Sequence, residues 1–131
     1  MTDETRSAPT RLPAIKVIMM PKDTNALGTI FGGIILSYID QAGAVEAHAQ
    51  VGNRVVTVAM REVEFHHPVL VGDLVSFYAD TLSIGKTSIT VKVTVEAERR
   101  TEGGRDRVRV TEAEVIFVQV DEKTRPMPIR R

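Results

Sequence analysis

The chain has 131 residues, of which 43% are hydrophobic, so it is long enough for one domain with its own core and too short for two. Its 17 basic and 17 acidic residues balance, which excludes the basic face of a general nucleic-acid binder. The absence of cysteine excludes thiolate nucleophiles, disulfides and thiolate zinc sites. No segment approaches the ~20 apolar residues of a membrane span, and we expect a cytoplasmic protein.

Both ends of the chain have the composition of tails. Residues 1–11 are rich in Thr, Ser and charge, and residues 124–131 carry two prolines among basic residues. Such ends tend to fray, so we expect flexible tails there. A single domain is predicted over residues 12–123.

The first predicted elements are a short strand and a long helix. Residues 12–20 have the β-branched content of a strand, which Pro21 stops. At Gly32 the pattern changes to a run rich in Ile, Leu and Ala, and Gly52 and Asn53 end it, which predicts a helix of about twenty residues. Because apolar residues cover more than half of its circumference, a wrapped sheet and a second subunit are needed to bury it.

Strands are predicted for the rest of the chain. Residues 88–97 alternate apolar and polar side chains, which is typical of a half-buried strand, and residues 55–65, 74–84 and 107–120 give three more. In the last one Val108 and Val110 keep one parity, whereas the apolar residues 115–118 occupy both, which predicts a bulge or burial on both faces. Short turns indicate an antiparallel meander. The fold class is therefore α+β, with the helix on the concave face of one sheet.

Asp40 is the most informative candidate for chemistry. It lies in the middle of the predicted helix, where aspartate has poor propensity, and no basic residue is within helical reach. At the border of the apolar arc its carboxylate would be partly desolvated, which makes it a better base. An aspartate that simply faces solvent beside Ser37 and Gln41 fits the helix equally well.

Gly32 and Gly33 open the helix at the end of the segment 28–33. Glycines allow a ligand to approach the backbone closely, and the free amides of the first turn point beyond the helix end. Such amides can hold a carbonyl oxygen that becomes an oxyanion. A tight loop-to-helix turn is the alternative. A dinucleotide motif is excluded because no parallel βαβ unit surrounds the segment.

Other polar residues give weaker indications of a functional site. Glu46 falls near the centre of the apolar arc, where it is either a second carboxylate of the site or, as we expect, exposed on the last helical turns. His66 and His67 point to opposite faces of a strand end and His48 is isolated, so no metal site is predicted. The sequence has no GxSxG motif, which excludes a serine hydrolase elbow.

Four short motifs follow one another between about residues 15 and 120. They are Asn25-Ala26-Leu27-Gly28 spaced to Phe31-Gly32-Gly33, then Asp40-Gln41-Ala42-Gly43, Val71-Gly72-Asp73 and Gly85-Lys86-Thr87-Ser88. With these motifs in this order, the chain closely resembles the YciA-like acyl-CoA thioesterases of the hot-dog superfamily. The resemblance covers nearly the whole predicted domain.

The resemblance implies a hot-dog fold, in which a curved antiparallel sheet of five to six strands wraps one long central helix. It implies protomers that join their sheets edge to edge, with active sites at the dimer interface and dimers assembled as a trimer of dimers. The implied substrate is an acyl-CoA. No cofactor or metal is implied, since coenzyme A is part of the substrate and product.

The resemblance also implies catalytic roles. Asp40 activates the water or attacks the thioester directly, and Asn25 faces it from the partner subunit. The amides of Gly32 and Gly33 hold the thioester oxygen. This assignment agrees with the chemistry inferred from the residues, because thioester hydrolysis needs a base and donors aimed at the oxyanion.

Further residues are implied to bind the substrate. Thr57, Val58 and Ala59 would lie along the pantetheine arm, and Phe31 would also contact the substrate. The turn formed by Gly85, Lys86, Thr87 and Ser88 would contact the CoA moiety. For the CoA phosphates the candidates are Lys86, Arg54 and Arg99.

Two other functions stay open beside acyl-CoA hydrolysis. Hot-dog domains also serve as non-catalytic acyl-CoA sensors, which usually carry a DNA-binding segment that we do not expect here. Hot-dog dehydratases of 3-hydroxyacyl thioesters typically use a histidine and a carboxylate, whereas the loop before this helix contains no histidine. We therefore predict an acyl-CoA thioester hydrolase.

Overall fold

The structure, a computed structural model, describes residues 11–130. Its elements are β1 (Ile15–Ile18), a 3-10 turn (Pro21–Asp23), α1 (Gly32–Gln50), β2 (Val55–Arg61), β3 (Leu74–Ile84), β4 (Ser88–Thr101) and β5 (Gly104–Gln119). The five strands form one antiparallel sheet in the order β1-β3-β4-β5-β2. This confirms the predicted α+β architecture of one long helix and one curled sheet.

Element bounds agree with the sequence where the periodicity is strong. β3 has the predicted ends, and α1 has 19 residues. β2 ends at Arg61, earlier than predicted, because Glu62 has a φ of 61°, which takes the chain out of the sheet. No helix in the described part of the chain is long and apolar enough to cross a bilayer.

The strands after the helix form only part of a meander. β3, β4 and β5 are joined by short turns and pair in sequence order, as predicted. The prediction is wrong for β2, which pairs with β5 at the edge of the sheet. Residues 62–73 are long enough to carry the chain from this edge to β3 on the other side. Among residues 11–130, β2 therefore keeps one unpaired edge.

The core lies between α1 and the inner face of the sheet. The helix contributes Ile35, Ile39, Ala42 and Ala47, and the alternate residues of β4 contribute Ile89, Val91, Val93 and Val95. α1 comes especially close to β5, where a Cβ built on Gly43 would lie 3.0 Å from the ring of Phe117. This close approach fixes the depth at which the helix sits in the sheet.

Bulges interrupt three of the strands. β5 has an extra residue at Val110, after which the buried positions change parity to Thr111 and beyond, so the predicted bulge is confirmed. Further register shifts occur at Val58 in β2 and at Leu82 in β3. Bulges bend a strand and redirect its side chains. The bulge at Val58 directly follows Thr57, a candidate site residue.

The residues after β5 pack on the domain. The amide of Met127 donates to Gln119 O at 2.9 Å, the amide of Ile129 donates to Lys86 O at 2.8 Å, and Ile129 packs against the core. This differs from the flexible tail expected over residues 124–131, because backbone pairing with the sheet outweighs the polar, proline-rich composition. We call residues 126–130 the C-terminal strap.

The other expected tail lies almost entirely outside the described residues, which begin at Arg11. The guanidinium of Arg11 donates a hydrogen bond of 2.9 Å to Asp80 and lies 4.7 Å from the ring centre of Tyr78. The ordered domain therefore includes at least this last residue of the expected tail.

Candidate active site

Asp40 lies in the middle of α1 and faces β2. Its Oδ1 accepts a hydrogen bond of 2.6 Å from the hydroxyl of Thr57. Within residues 11–130, no Lys, Arg or His nitrogen lies within 4.0 Å of this carboxylate. Asp40 is partly buried. The alternative of an Asp40 side chain that only faces solvent therefore does not apply.

The contact leaves Asp40 able to accept a proton. A carboxylate offers about four acceptor positions, and Thr57 uses one of them. Within the described residues, Oδ2 has no protein donor. A hydroxyl donor orients the carboxylate and leaves its negative charge in place, whereas an arginine would neutralise that charge. The arrangement fits a positioned base or nucleophile.

The start of α1 presents free backbone donors. Phe31 is the N-cap and makes no side-chain capping bond, and the amide of Ile34 donates to Phe31 O at 3.0 Å. In the described part of the chain, the amides of Gly32 and Gly33 donate to no protein acceptor. Two adjacent unpaired amides at a helix N-terminus form a site suited to a developing negative charge.

Packing within the chain does not require glycine at these two positions. A Cβ on Gly33 would meet no atom within 4 Å, and a Cβ on Gly32 would meet only the ring of Phe65, at 3.9 Å. Among the described residues, close packing therefore gives no reason for glycine at either position. Close approach by a ligand or by a second subunit supplies one.

Two neighbouring segments fix the helix start. The amide of Phe31 donates to Asp23 O, and the amide of Ile30 donates to Val69 O, both at 2.8 Å. Thr29 and Leu70 form an isolated bridge beside them. The loop before β3 thus determines where the amides of the first helical turn lie.

A buried ion pair holds that loop. Asp73 is buried and accepts two hydrogen bonds from Arg99, at 3.0 and 2.8 Å, and a third from the amide of Leu70 at 2.9 Å. The hydrogen bonds that Arg99 donates to Asp73 raise the pKa of Arg99 above its ordinary value. Arg99 also donates to Pro68 O, so three hydrogen bonds already hold its guanidinium, and its candidate role toward the CoA phosphates stays a prediction.

Asn25 has a structural task within its own chain. Its Oδ1 accepts hydrogen bonds from the amides of Leu27 at 2.8 Å and Thr29 at 3.2 Å, and its Nδ2 donates to the Thr29 hydroxyl at 2.9 Å. These bonds shape the loop before the helix. One Nδ2 hydrogen is left for another acceptor. The sequence motif around Asn25 does not by itself predict this loop, in which the Asn25 side chain accepts hydrogen bonds from backbone amides that follow it.

The candidate substrate-binding residues gather along one edge and one end of the sheet. Thr57, Val58 and Ala59 belong to β2, Arg54 precedes it, and Gly85, Lys86, Thr87 and Ser88 span the turn between β3 and β4. Arg54 and the β3–β4 turn lie at the same end of the sheet, because Val55 pairs with Gln119 while Ser88 pairs with Val118. Phe31 is 59% exposed and Val58 is 54% exposed.

Glu46 does not belong to this group. Its Oε2 accepts hydrogen bonds from Thr81 at 2.7 Å and from Gln50 at 3.3 Å, and it is partly buried against β3. The expectation of an exposed Glu46 is wrong, because the sheet wraps the helix on that side too. Six residues correspond to about 240° around a helix, so Glu46 and Asp40 face different sides.

A cavity of about 790 Å³ lies away from these residues, and its walls include Lys92, Glu112, Glu114 and His66. The ion pair with Lys92 at 2.9 Å holds the pKa of Glu112 below its ordinary value.

Among residues 11–130, no three His, Asp or Glu side chains are grouped as metal ligands. That the protein works without a metal ion or a cofactor stays a prediction.

Comparison with known proteins identifies the family. The model of the thioesterase superfamily matches residues 27–103. The acyl-CoA thioester hydrolase YciA of Salmonella typhimurium is 40% identical over 119 residues, which cover 88% of this chain and 90% of that protein.

Solved structures agree with the observed fold. A hexameric hotdog fold thioesterase of Campylobacter jejuni superposes with a TM-score of 0.87 at 43% identity, covering 92% of this chain and 91% of its own. A hexameric broad specificity acyl-coenzyme A thioesterase gives a TM-score of 0.87 at 40% identity, with 92% and 87% covered. The chain belongs to the thioesterase superfamily and, within its hot-dog proteins, to the YciA-like acyl-CoA thioester hydrolases.

Proposed function

We propose that the chain hydrolyses acyl-CoA to free coenzyme A and a carboxylic acid, with Asp40 as general base or nucleophile. The observation that carries the proposal is the Asp40 carboxylate in mid-helix, oriented by Thr57 at 2.6 Å and paired with no cation among the described residues. The chain has no cysteine, and a carboxylate with backbone amides suffices for this reaction. Relatives that carry the name acyl-CoA thioester hydrolase support it.

In the proposed reaction, Asp40 takes a proton from a water whose oxygen bonds to the thioester carbonyl carbon. The carbonyl oxygen gains negative charge and is held by the amides of Gly32 and Gly33. The carbon–sulfur bond then breaks, and the departing thiolate of coenzyme A takes up the proton. In the alternative route, a carboxylate oxygen of Asp40 bonds to the carbonyl carbon, the carbon–sulfur bond breaks and the thiolate of coenzyme A leaves. Water then hydrolyses the resulting anhydride to the carboxylic acid and restores Asp40, and the proton released from the water goes to the thiolate.

Helix geometry supports a site built from two chains. Gly33 precedes Asp40 by seven residues, which corresponds to about 10 Å along a helix axis. One carbonyl group cannot contact both within the same chain. We therefore assign the base to one protomer and the amides to its partner, where Asn25 of the partner subunit also faces the base.

The edge of β2 is the proposed dimer interface. β2 pairs with β5 on one side only, and its bulge residue Val58 is more than half exposed. Phe31 at the helix start is also exposed. A second copy paired along β2 would cover this apolar surface. The hexameric relatives support a trimer of such dimers.

For the substrate, we propose that the pantetheine arm lies along Thr57, Val58 and Ala59 and that the CoA moiety meets the turn from Gly85 to Ser88. Lys86 and Arg54 would then bind phosphates. No cofactor beyond the substrate's own coenzyme A takes part. The chain has no cysteine that would call for an oxidising compartment, and we place the enzyme in the cytoplasm.

A thiol-release assay across a series of acyl-CoA chain lengths tests the proposal. Wild-type turnover that Asp40→Asn abolishes supports it. Glu46→Gln is the matched control, because Glu46 is a second carboxylate of α1 with its own threonine donor. Tight acyl-CoA binding without turnover would identify a sensor, and formation of an enoyl product would identify a dehydratase. Either result would contradict the proposal.

A further inference from the structure

A small hairpin precedes α1, and we call residues 24–30 the helix-start hairpin. Thr24 and Ile30 form its base as an isolated antiparallel bridge. Beyond the base, the amide of Asn25 donates to Thr29 O at 2.8 Å. Because α1 begins two residues after the hairpin, the hairpin stands beside the unpaired amides of the first helical turn.

Hydrogen bonds fix the tip of the helix-start hairpin. Gly28 has a φ of 90°, which favours glycine, and its amide donates to Asn25 O at 3.2 Å. The Asn25 side chain closes the same turn, because its Oδ1 accepts the amide of Leu27 at 2.8 Å. The backbone of Leu27 is therefore held against the Asn25 carboxamide.

The side chain of Leu27 points away from the rest of its own chain. Leu27 is 89% exposed, so the folding of a single chain leaves nearly all of this apolar side chain in water. A single exposed apolar residue is common on a protein surface, so the exposure of Leu27 has meaning only together with its position. That position is set by Asn25.

Asn25 places Leu27 in the proposed site. In the proposed dimer, Asn25 of the partner subunit faces the base Asp40, and Leu27 is bonded to the same carboxamide. The helix-start hairpin also belongs to the protomer that supplies the amides of Gly32 and Gly33. Leu27 therefore borders the side of the site that holds the thioester carbonyl.

The chemistry of the substrate decides which part of it Leu27 contacts. The pantetheine arm carries amide groups and is proposed to lie along β2 of the protomer that holds the base. The acyl chain leaves the carbonyl carbon on the opposite side, toward the protomer that supplies the amides. A leucine side chain gains from contact with a hydrocarbon chain and offers no hydrogen bond to an amide.

We propose that Leu27 of the partner subunit contacts the acyl chain and favours substrates whose chain is long enough to reach the hairpin tip. The inference rests on the proposed function, in which acyl-CoA is hydrolysed at a site shared by two protomers. Leu27 is a specificity residue, because its side chain neither moves a proton nor holds the oxyanion.

The test compares Leu27→Ala with Leu12→Ala on acetyl-CoA and decanoyl-CoA. Leu12 is the matched control, because it is 87% exposed and lies before β1, outside the helix-start hairpin. We expect Leu27→Ala to lower kcat/KM for decanoyl-CoA about three- to tenfold, as for the loss of one partly buried leucine contact.

The other combinations should match the wild type. Acetyl-CoA has a single carbon beyond its carbonyl and does not reach the tip, so its kcat/KM should be unchanged in Leu27→Ala. Leu12→Ala should leave both substrates unaffected. Leu27→Met keeps an apolar side chain of similar volume and should retain the wild-type rate on decanoyl-CoA.

An unchanged ratio of the two kcat/KM values in Leu27→Ala would overturn the inference. An equal loss on both substrates gives this result too, and a dissociated oligomer on gel filtration would then identify Leu27 as a contact between subunits only.

Calorimetry with coenzyme A and with S-decyl-coenzyme A, a thioether that cannot be hydrolysed, separates the inference from the proposed function. Weaker binding of the thioether by Leu27→Ala, with equal binding of coenzyme A, supports the contact even if the wild type hydrolyses nothing. Equal binding of the thioether by the two proteins rejects the contact even if the wild type is an active hydrolase.

Discussion

The hydroxyl of Thr57 donates a hydrogen bond of 2.6 Å to Oδ1 of Asp40. The contact joins the edge strand β2 to the centre of α1, and the bulge at Val58 follows directly. An oriented carboxylate that keeps its charge is what proton abstraction from water requires. The proposed catalytic centre therefore depends on the course of an edge strand as well as on the helix.

Asp40→Asn should lower kcat by a factor of about 10² to 10⁴, the usual contribution of a general base. The amide oxygen of asparagine can still accept the Thr57 hydrogen bond, so the fold and the oligomer should be unchanged. Thiol release, gel filtration and circular dichroism measure these outcomes. Turnover near the wild-type rate would remove Asp40 from the mechanism.

Thr57→Val should lower kcat about ten- to hundredfold, because a hydrogen bond to a charged group contributes about 1.5–3 kcal/mol. Valine keeps the β-branched shape, so the unfolding free energy should change little. Thr57→Ser restores the hydroxyl and should recover most of the rate. Equal kcat values for the valine and serine variants would show that the contact does not orient the base.

The sequence predicts the interior of this fold well. Alternation identifies β4 correctly because buried and exposed residues must alternate on a strand with one face on the core. The change of parity in β5 predicts the bulge that lies at Val110. These features are local, so a short window of residues contains the whole signal.

The relations between distant segments could not be predicted in the same way. Periodicity predicts on which face of a strand a residue lies, but it does not predict which strands pair. The sequence therefore does not predict the pairing of β2 with β5. The docking of Ile129 on Lys86 is a backbone contact that composition does not encode. Likewise, only the wrapped sheet brings Thr81 to Glu46.

The site was predictable in part. Asp40 stands out because a mid-helix aspartate without a nearby cation lacks a local explanation. The partner of Asp40 on β2 has no such signal, since Thr57 is an ordinary strand residue in sequence. Only the resemblance to known thioesterases placed Thr57 near the substrate.

Asp73→Ala should lower the unfolding free energy by about 3 kcal/mol, because it leaves the Arg99 charge without its partner and the Leu70 amide without an acceptor. The Asp73 side chain is only 3% exposed, so water cannot replace these bonds easily. Urea unfolding measures the difference.

Glu114→Ala provides the comparison, because its partner Arg61 is 54% exposed and an ion pair of this kind contributes about 0–1 kcal/mol. Similar losses for the two variants would contradict the special role of the Asp73–Arg99 pair.

Gly43→Ala should destabilise the protein by up to about 2 kcal/mol. The added Cβ would lie 3.0 Å from the Phe117 ring, which is buried and cannot move freely, and overpacking of a core costs about 1–3 kcal/mol. This exceeds the gain of about 1 kcal/mol in helix propensity. Gly103→Ala, in the turn between β4 and β5 and with no atom within 4 Å of its Cβ, should cause no loss of thermal stability. Equal melting temperatures for the two variants would contradict the packing argument.

The stability supplied by Asp23 should disappear in acid. Its carboxylate accepts the Met20 amide at 3.1 Å and the Lys22 ammonium at 3.0 Å, and these bonds hold its pKa below the ordinary 3.8. The folded state therefore binds this proton more weakly than the unfolded state does. The resulting stabilisation is complete well above pH 3.8 and is lost as the pH falls through the lower folded-state pKa.

Asp23→Asn isolates this contribution, because the variant cannot ionise at that position while every other acid titrates as before. The difference in unfolding free energy between wild type and variant should be constant near neutral pH and shrink as the pH falls below about 4. Urea titrations at a series of pH values measure it. A difference that stays constant down to pH 3 would mean that the Asp23 charge does not stabilise the fold.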